Sequence, residues 1–267
     1  MKWTLNEIAG GQKQHAIFEW LSPLSPSARH FENQKKRVKH TGTWLINDPK
    51  FLDWSSKIAE CQILCCYGDP GAGKTILSSL VIDHLGEHIV PRSKIGLGYI
   101  YCDYRDQEEQ MTENILGAVL TQLLQILPEM PEAVLKLYGD RANQKKPLSL
   151  EDANNLFHIT CAQFSKVYVC LDALDELRDL RSLLKCLHDG PSSIQIFLTG
   201  RPHVQETVQE YFKGEHSITI KAHESDIRLF IEHEIGGPND IEPKAMDERL
   251  RMDILEKVVD SAKGMLV

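Results

Sequence analysis

The sequence predicts a doubly wound α/β domain with an N-terminal helical segment and a small C-terminal helical subdomain, and three observations lead to it. From residue 61 onward, short apolar runs alternate with stretches of helical periodicity, as in a parallel sheet covered on both faces. Gly68-Asp69-Pro70-Gly71-Ala72-Gly73-Lys74-Thr75 fills G-x-x-x-x-G-K-[ST] between one such run and one such helix. Carboxylates follow directly on a later strand, at the sheet edge where ligands of open α/β folds bind.

Along the chain, residues 1–20 set Leu5, Ile8, Ile17, Phe18 and Trp20 around Gly10-Gly11, which suits one amphipathic helix or two short ones. Leu21 to Ser27 is a connector punctuated by Pro23, Pro26 and serines. Lys35-Lys36-Arg37-Val38-Lys39-His40 is a basic run that reads either as a solvated face or as a phosphate or partner contact. Ile63-Leu64-Cys65-Cys66-Tyr67 is unbroken apolar sequence, as a central parallel strand requires. From Thr75 to Leu85, Ile76, Leu77, Leu80, Val81 and Leu85 recur at helical spacing.

A second strand is expected near Gly98 to Cys102. Helices follow over Thr112 to Leu127 and Pro131 to Asp140, and Ser149-Leu150-Glu151-Asp152 opens another with a capping-box pattern. Val167 to Leu171, Ile194 to Leu198 and Ser217 to Ile220 complete five strands. Beyond Glu224 the pattern is helical, over Asp226 to Ile235 and Lys244 to Lys263, split by Gly236-Gly237-Pro238.

At 267 residues with a formal net charge of −8, the chain offers no global field for nucleic acid or an anionic membrane, so a polyanion must be bound locally. No apolar stretch reaches the roughly 20 residues that span a bilayer, and the first residues lack the apolar core of a signal peptide, which points to a cytoplasmic protein. Cys65, Cys66, Cys102 and Cys170 fall in expected strands and Cys161 and Cys186 in expected helices, without a C-x-x-C pair; they read as reduced core residues. His84-Leu85-Gly86-Glu87-His88 spells H-x-x-E-H, but Gly86 falls where the helix should be ending, so zinc is rejected.

The chemistry concentrates on the glycine loop. Its glycines let backbone N–H groups turn toward a polyphosphate, Lys74 adds a point charge by the β and γ phosphates, and the Thr75 hydroxyl can ligate Mg²⁺. The nucleotide-contacting set runs from Gly68, Asp69, Pro70, Gly71, Ala72, Gly73 and Lys74 to Thr75 and Ile76. Asp172 ends the third strand and is the expected second Mg²⁺ holder. Asp175 and Glu176 either orient and deprotonate the water that attacks the γ-phosphate or merely complement a helix dipole. Arg201, after the fourth strand, either forks onto the γ-phosphate or pairs with a nearby carboxylate.

Together, the loop, Asp172-Ala173-Leu174-Asp175-Glu176 and Leu198-Thr199-Gly200-Arg201-Pro202 resemble the NACHT family of signal-transduction NTPases, the P-loop NTPases of STAND type. Trp20-Leu21-Ser22-Pro23-Leu24 to Arg29-His30, and Thr41-Gly42-Thr43-Trp44-Leu45 to Phe51-Leu52-Asp53-Trp54, further resemble its fungal, nephrocystin-like branch, found in heterokaryon-incompatibility and ankyrin-repeat proteins. The resemblance implies a five-stranded parallel sheet in the order 5-1-4-3-2, with the Arg201 strand between the loop strand and the Asp172 strand. It divides the chain into a helical or linker segment (1–40), the nucleotide-binding domain (41–222) and the start of a helical lid (223–267). It also implies an adenine or guanine pocket before the first strand, around Thr41-Gly42-Thr43-Trp44, with Thr43 and Trp44 as its contacts, unless Trp44 is only a packing anchor. Such proteins normally continue into a winged helix, whose histidine contacts the bound diphosphate, and into ligand-sensing repeats. This chain ends at Gly264-Met265-Leu266-Val267 and is therefore expected to be truncated.

The function so implied is a Mg²⁺-dependent switch that binds ATP, ahead of GTP, and hydrolyses it slowly. Self-association or partner contacts are expected through the N-terminal helical segment, with no membrane and no direct nucleic acid. A phosphotransferase, a nucleic-acid-stimulated ATPase and a non-hydrolysing scaffold remain the competing readings.

Overall fold

The computed structural model describes residues 5–56, 61–87, 89, 93–142, 144, 146–235, 252–253 and 255–258. In chain order the elements are α1 (Leu5–Leu21), α2 (Pro26–Lys36), α3 (Thr43–Ile46), α4 (Pro49–Ser55), β1 (Ile63–Gly68), α5 (Lys74–Gly86), β2 (Ile95–Tyr101) and α6 (Thr112–Ile126). There follow α7 (Glu132–Ala142), α8 (Leu150–Cys161), β3 (Lys166–Asp172), α9 (Leu180–His188), β4 (Ile194–Gly200), α10 (Gln205–Tyr211), β5 (His216–Ile220) and α11 (Glu224–Ile235). The strands form a single five-stranded sheet ordered β2-β3-β4-β1-β5, parallel at every pairing. Read from the other edge this is 5-1-4-3-2, the order the family resemblance implies.

β1 and β4 are buried along their whole length, which explains why their apolar runs are unbroken rather than alternating. Their side chains still alternate between two cores. Ile63, Cys65 and Tyr67 face a layer built on α6, α8 and α9, with Leu120, Leu123 and Phe157. Leu64 and Cys66 face the other, where α4 and α5 bring Phe51, Trp54, Val81 and Leu85. Burying aliphatic and aromatic side chains of this size stabilises the fold by about 1.5–3 kcal/mol each.

β2 starts three residues earlier than the apolar pattern suggests. Gly96 and Gly98 lower its strand signal, yet they are there for packing: a Cβ on either would lie 2.6 Å from a side chain of α6, Leu123 or Val119. α5 ends at Gly86, the stop assumed in rejecting the histidine motif; His88 lies outside the described residues, and so does the break at Gly236-Gly237-Pro238. The expected helix over Lys244 to Lys263 is described only at 252–253 and 255–258, both helical. All seven cysteines are free thiols, and no helix among the described residues is long and apolar enough to cross a membrane.

The N-terminal segment is packed onto the domain. α1 runs as one helix through Gly10-Gly11 and buries Ile17 and Leu21 against α6. Ser22 Oγ donates to the Asn114 carbonyl at 2.7 Å, and the Trp20 indole donates to the Lys146 carbonyl at 3.0 Å. The crossing is so close that a Cβ on Gly117 would lie 1.9 Å from the Leu21 carbonyl oxygen. Gly117→Ala is therefore expected to destabilise the protein by about 2–3 kcal/mol, lowering Tm by roughly 5 °C or more. An unchanged melting curve would show that α1 is not seated there.

α2 has no counterpart in the apolar pattern, because none of its residues is buried and polar contacts hold it. His30 bridges the Tyr101 hydroxyl (2.8 Å) and Asp83 (3.0 Å), while Gln34 and Arg37 reach the same Asp83 at 2.6 and 2.7 Å. Burial works to raise the Asp83 carboxyl, but the hydrogen bonds from Arg37, Gln34 and His30 outweigh it and pull it below the usual carboxylate range. Pro26 suits the first turn of the helix, where no backbone N–H is needed.

Candidate functional site

β1 delivers the chain to the sheet edge at Gly68, and the loop then turns through Gly71 (φ 77°) and Gly73 (φ 87°), left-handed conformations that favour glycine. Gly73 caps α5, so the helix N-terminus opens at Lys74 toward the loop. The Lys74 ammonium lies back over the loop, donating to the Gly68 and Asp69 carbonyls at 2.7 and 2.9 Å. Burial lowers its pKa from the ordinary lysine value, against the pull of Asp175 and Asp172.

Three hydroxyls converge on Asp172. Thr75 Oγ1 donates to Oδ2 at 2.7 Å, and Ser78 Oγ and Thr199 Oγ1 donate to Oδ1 at 2.6 and 2.7 Å. The residue is 2% exposed. Burial lifts its carboxyl above the usual range, and the three hydroxyls work the other way. Thr199 also accepts from the Ala173 N–H at 2.9 Å, tying β3 to β4 just where Ala173 enters the left-handed region (φ 57°). A hydroxyl and a carboxylate this close are hard oxygen donors, the set that Mg²⁺ prefers, and the residues present fit that ion.

Asp175 and Arg201 face each other. Arg201 Nε lies 2.9 Å from Asp175 Oδ2, and the Arg201 backbone N–H donates to Oδ1 at 3.0 Å. Asp175's side chain is 5% exposed and Arg201's 47%, so the carboxylate is sunk beneath a guanidinium that reaches solvent. Glu176 turns the other way. Its Oε2 accepts from the Tyr104 N–H at 3.0 Å, and its backbone carbonyl accepts from Gln107 Nε2 at 2.9 Å. Burial raises the Glu176 carboxyl, the Tyr104 N–H opposes it, and the charges of Asp175, Asp103 and Asp172 add to the rise.

Beside the loop lies a cavity of about 440 Å³, in the range of small-molecule sites. Gly73, Ile76 and Trp44 line it together with Lys36, Val38 and Phe230, so part of the basic run faces it. Trp44 stacks on His223 with ring centroids 4.3 Å apart. Asp226, 5% exposed, accepts through one oxygen from the Gly42 N–H (3.0 Å) and the Trp44 indole (3.1 Å). α11 is thereby latched to the segment before β1. Thr43 is not in the lining; its hydroxyl is 3.5 Å from the His40 carbonyl at the head of α3.

The sequence reading missed Ser78, Tyr104, Gln107 and Asp226, and gave Thr199 no role. Ser78 had a signal, lying three residues after Thr75 on the same helix face. The Tyr104 contact is made by backbone, and Asp226 comes from a distant helix; neither leaves a local pattern.

A parallel sheet in this order, with a glycine loop after β1 and a hydroxyl-bound aspartate ending β3, defines a P-loop nucleotide-binding domain of the NTPase class. The chain belongs to the family described as Nephrocystin 3, N-terminal, whose profile matches residues 40–201. It is also similar to the vegetative incompatibility protein HET-E-1 of Podospora anserina, with 26% identity over 160 residues. That match covers 56% of this chain and 11% of the relative, so the chain spans about a tenth of its length. Among solved structures, a DNA replication initiation factor aligns over 77% of this chain and 52% of its own, at 13% identity and a TM-score of 0.39.

Proposed function

We propose that the chain binds Mg²⁺ and a nucleoside triphosphate, ATP in preference to GTP, and hydrolyses it slowly as the switch of a signalling protein. The observation that carries this reading is the convergence of Thr75, Ser78 and Thr199 on Asp172 beneath the glycine loop. Thr75 and Asp172 would hold the ion, which when bound neutralises charge on the phosphate oxygens. Lys74 exchanges its two carbonyl contacts for the phosphates. Glu176 takes a proton from the water that attacks the γ-phosphorus, the bond to the β–γ bridging oxygen breaks, and the diphosphate leaves. Asp175 aims Arg201, whose exposed guanidinium reaches the γ-phosphate.

The cavity supports ATP over GTP. One oxygen of Asp226 already holds two N–H donors, which leaves the carboxylate poorly placed to take the paired N1–H and N2–H₂ donors of guanine as well. The same latch supports a switch: a base seated there touches both the segment before β1 and α11, so occupancy biases the position of the helical lid. Titration calorimetry with ATP, ADP and GTP, with and without Mg²⁺, tests the proposal. Saturable binding of ATP and ADP is expected, ATP tightening with Mg²⁺ and GTP at least about tenfold weaker. No binding of ATP in either condition would end this reading.

A further inference from the structure

A turn after β2 connects the N-terminal helix α2 to the carboxylate at the reaction centre. Tyr104 opens a single 3₁₀ turn, Tyr104–Asp106, and it is this turn that presents its N–H to Glu176 Oε2 while Gln107, next along, holds the Glu176 carbonyl. The turn has little strength of its own; its opening is braced by Asp103, whose carboxylate accepts from the Arg105 N–H at 2.9 Å. Arg29 of α2 grips it from the far side at three points. Its guanidinium donates to the Tyr101 carbonyl at 3.2 Å, lies 3.2 Å from Asp103 and pairs with Asp106. Gln110 closes the base of the loop, donating to the Tyr101 carbonyl and accepting from the Asp103 N–H. α2 cannot drift, since His30, Gln34 and Arg37 anchor it to Asp83.

We propose that Arg29 is a positioning residue for Glu176: by fixing the 103–107 turn it keeps the Tyr104 N–H on one carboxylate oxygen and leaves the other to orient water. The inference rests on Glu176 being the base. A carboxylate on a flexible side chain needs such a tether, because a shift of about 1 Å at a reacting group can cost on the order of a hundredfold in rate. The partners of Arg29 are Tyr101, Asp103 and Asp106, none of them in the glycine loop, so its loss should act on turnover and not on binding.

The test uses the whole chain, with Kd for Mg-ATP and kcat measured for Arg29→Ala, Arg29→Lys, Glu176→Gln and the Arg29→Ala/Glu176→Gln double variant. Arg29→Ala is expected to lower kcat about tenfold with Kd nearly unchanged, and Arg29→Lys to recover part of the loss. In the Glu176→Gln background Arg29→Ala should lower kcat no further, whereas a merely structural role would multiply the two losses. If Arg29→Ala does not fold, Asp106→Ala, which removes one of the three points of the grip at a partly exposed side chain, should lower kcat in the same sense. Multiplicative losses, a kcat untouched by these variants, or an equal loss in Kd would overturn the inference while leaving the proposed function standing. Turnover absent from the wild type, or indifferent to Glu176→Gln, would overturn both.

Discussion

Glu176→Gln is expected to lower Mg-ATP turnover by about two to three orders of magnitude while leaving the nucleotide Kd within about twofold, since general-base catalysis contributes on the order of 10²–10⁴. Glutamine is nearly isosteric and its amide oxygen can still accept from the Tyr104 N–H, so the turn and the fold should survive. It cannot take a proton. The position of Glu176 also sets the direction of the pH dependence. Burial raises its carboxyl above the usual glutamate value, and it must be ionised to act, so turnover should fail on acidification at a higher pH than an exposed glutamate would dictate. The same shift makes ionised Glu176 a small cost to the folded state, one that disappears as the pH falls and the group protonates. Single-turnover kinetics across pH would check both; a variant with wild-type turnover would remove Glu176 from the chemistry.

Lys74→Ala is expected to weaken Mg-ATP binding by about one to two orders of magnitude, corresponding to the roughly 1.5–3 kcal/mol of a charge-assisted contact. The ammonium now rests on the Gly68 and Asp69 carbonyls. The Asp69 contact is open to water but the Gly68 carbonyl, at the buried end of β1, loses a part-buried partner, so the variant should also lose about 1 kcal/mol of stability. Calorimetry and a thermal melt separate the outcomes: binding equal to wild type would mean that the loop does not hold a triphosphate through Lys74.

Much of this was legible from the chain because it is written locally. The loop occupies eight consecutive residues, and Asp172 ends, and Arg201 directly follows, a buried strand whose apolar run announces it. Helices with an apolar stripe or a side-chain cap were also readable; Ser149, for example, accepts from the Asp152 N–H as its pattern promised. What escaped was held by polar contacts between distant segments. α2 buries no residue and is positioned by Asp83 and Asp103, and the first three residues of β2 went unread because Gly96, whose purpose is visible only once α6 is laid on it, lies among them. Pattern also could not say which way an acid would face: Asp175 and Glu176 are neighbours in sequence, but one meets Arg201 and the other Tyr104.

The strand order carries a consequence for synthesis. β1 and β3 are not paired; β4 lies between them and supplies Thr199, so the loop and Asp172 cannot be brought together until residues 194–200 have left the ribosome. The cavity waits longer still, for Asp226 and Phe230 on α11. At typical elongation rates the interval is on the order of seconds. During that interval the nascent chain can join the loop to Asp172 while the cavity still lacks its wall from α11, so on the proposed reading any selectivity for the base arrives as the last act of translation of this region.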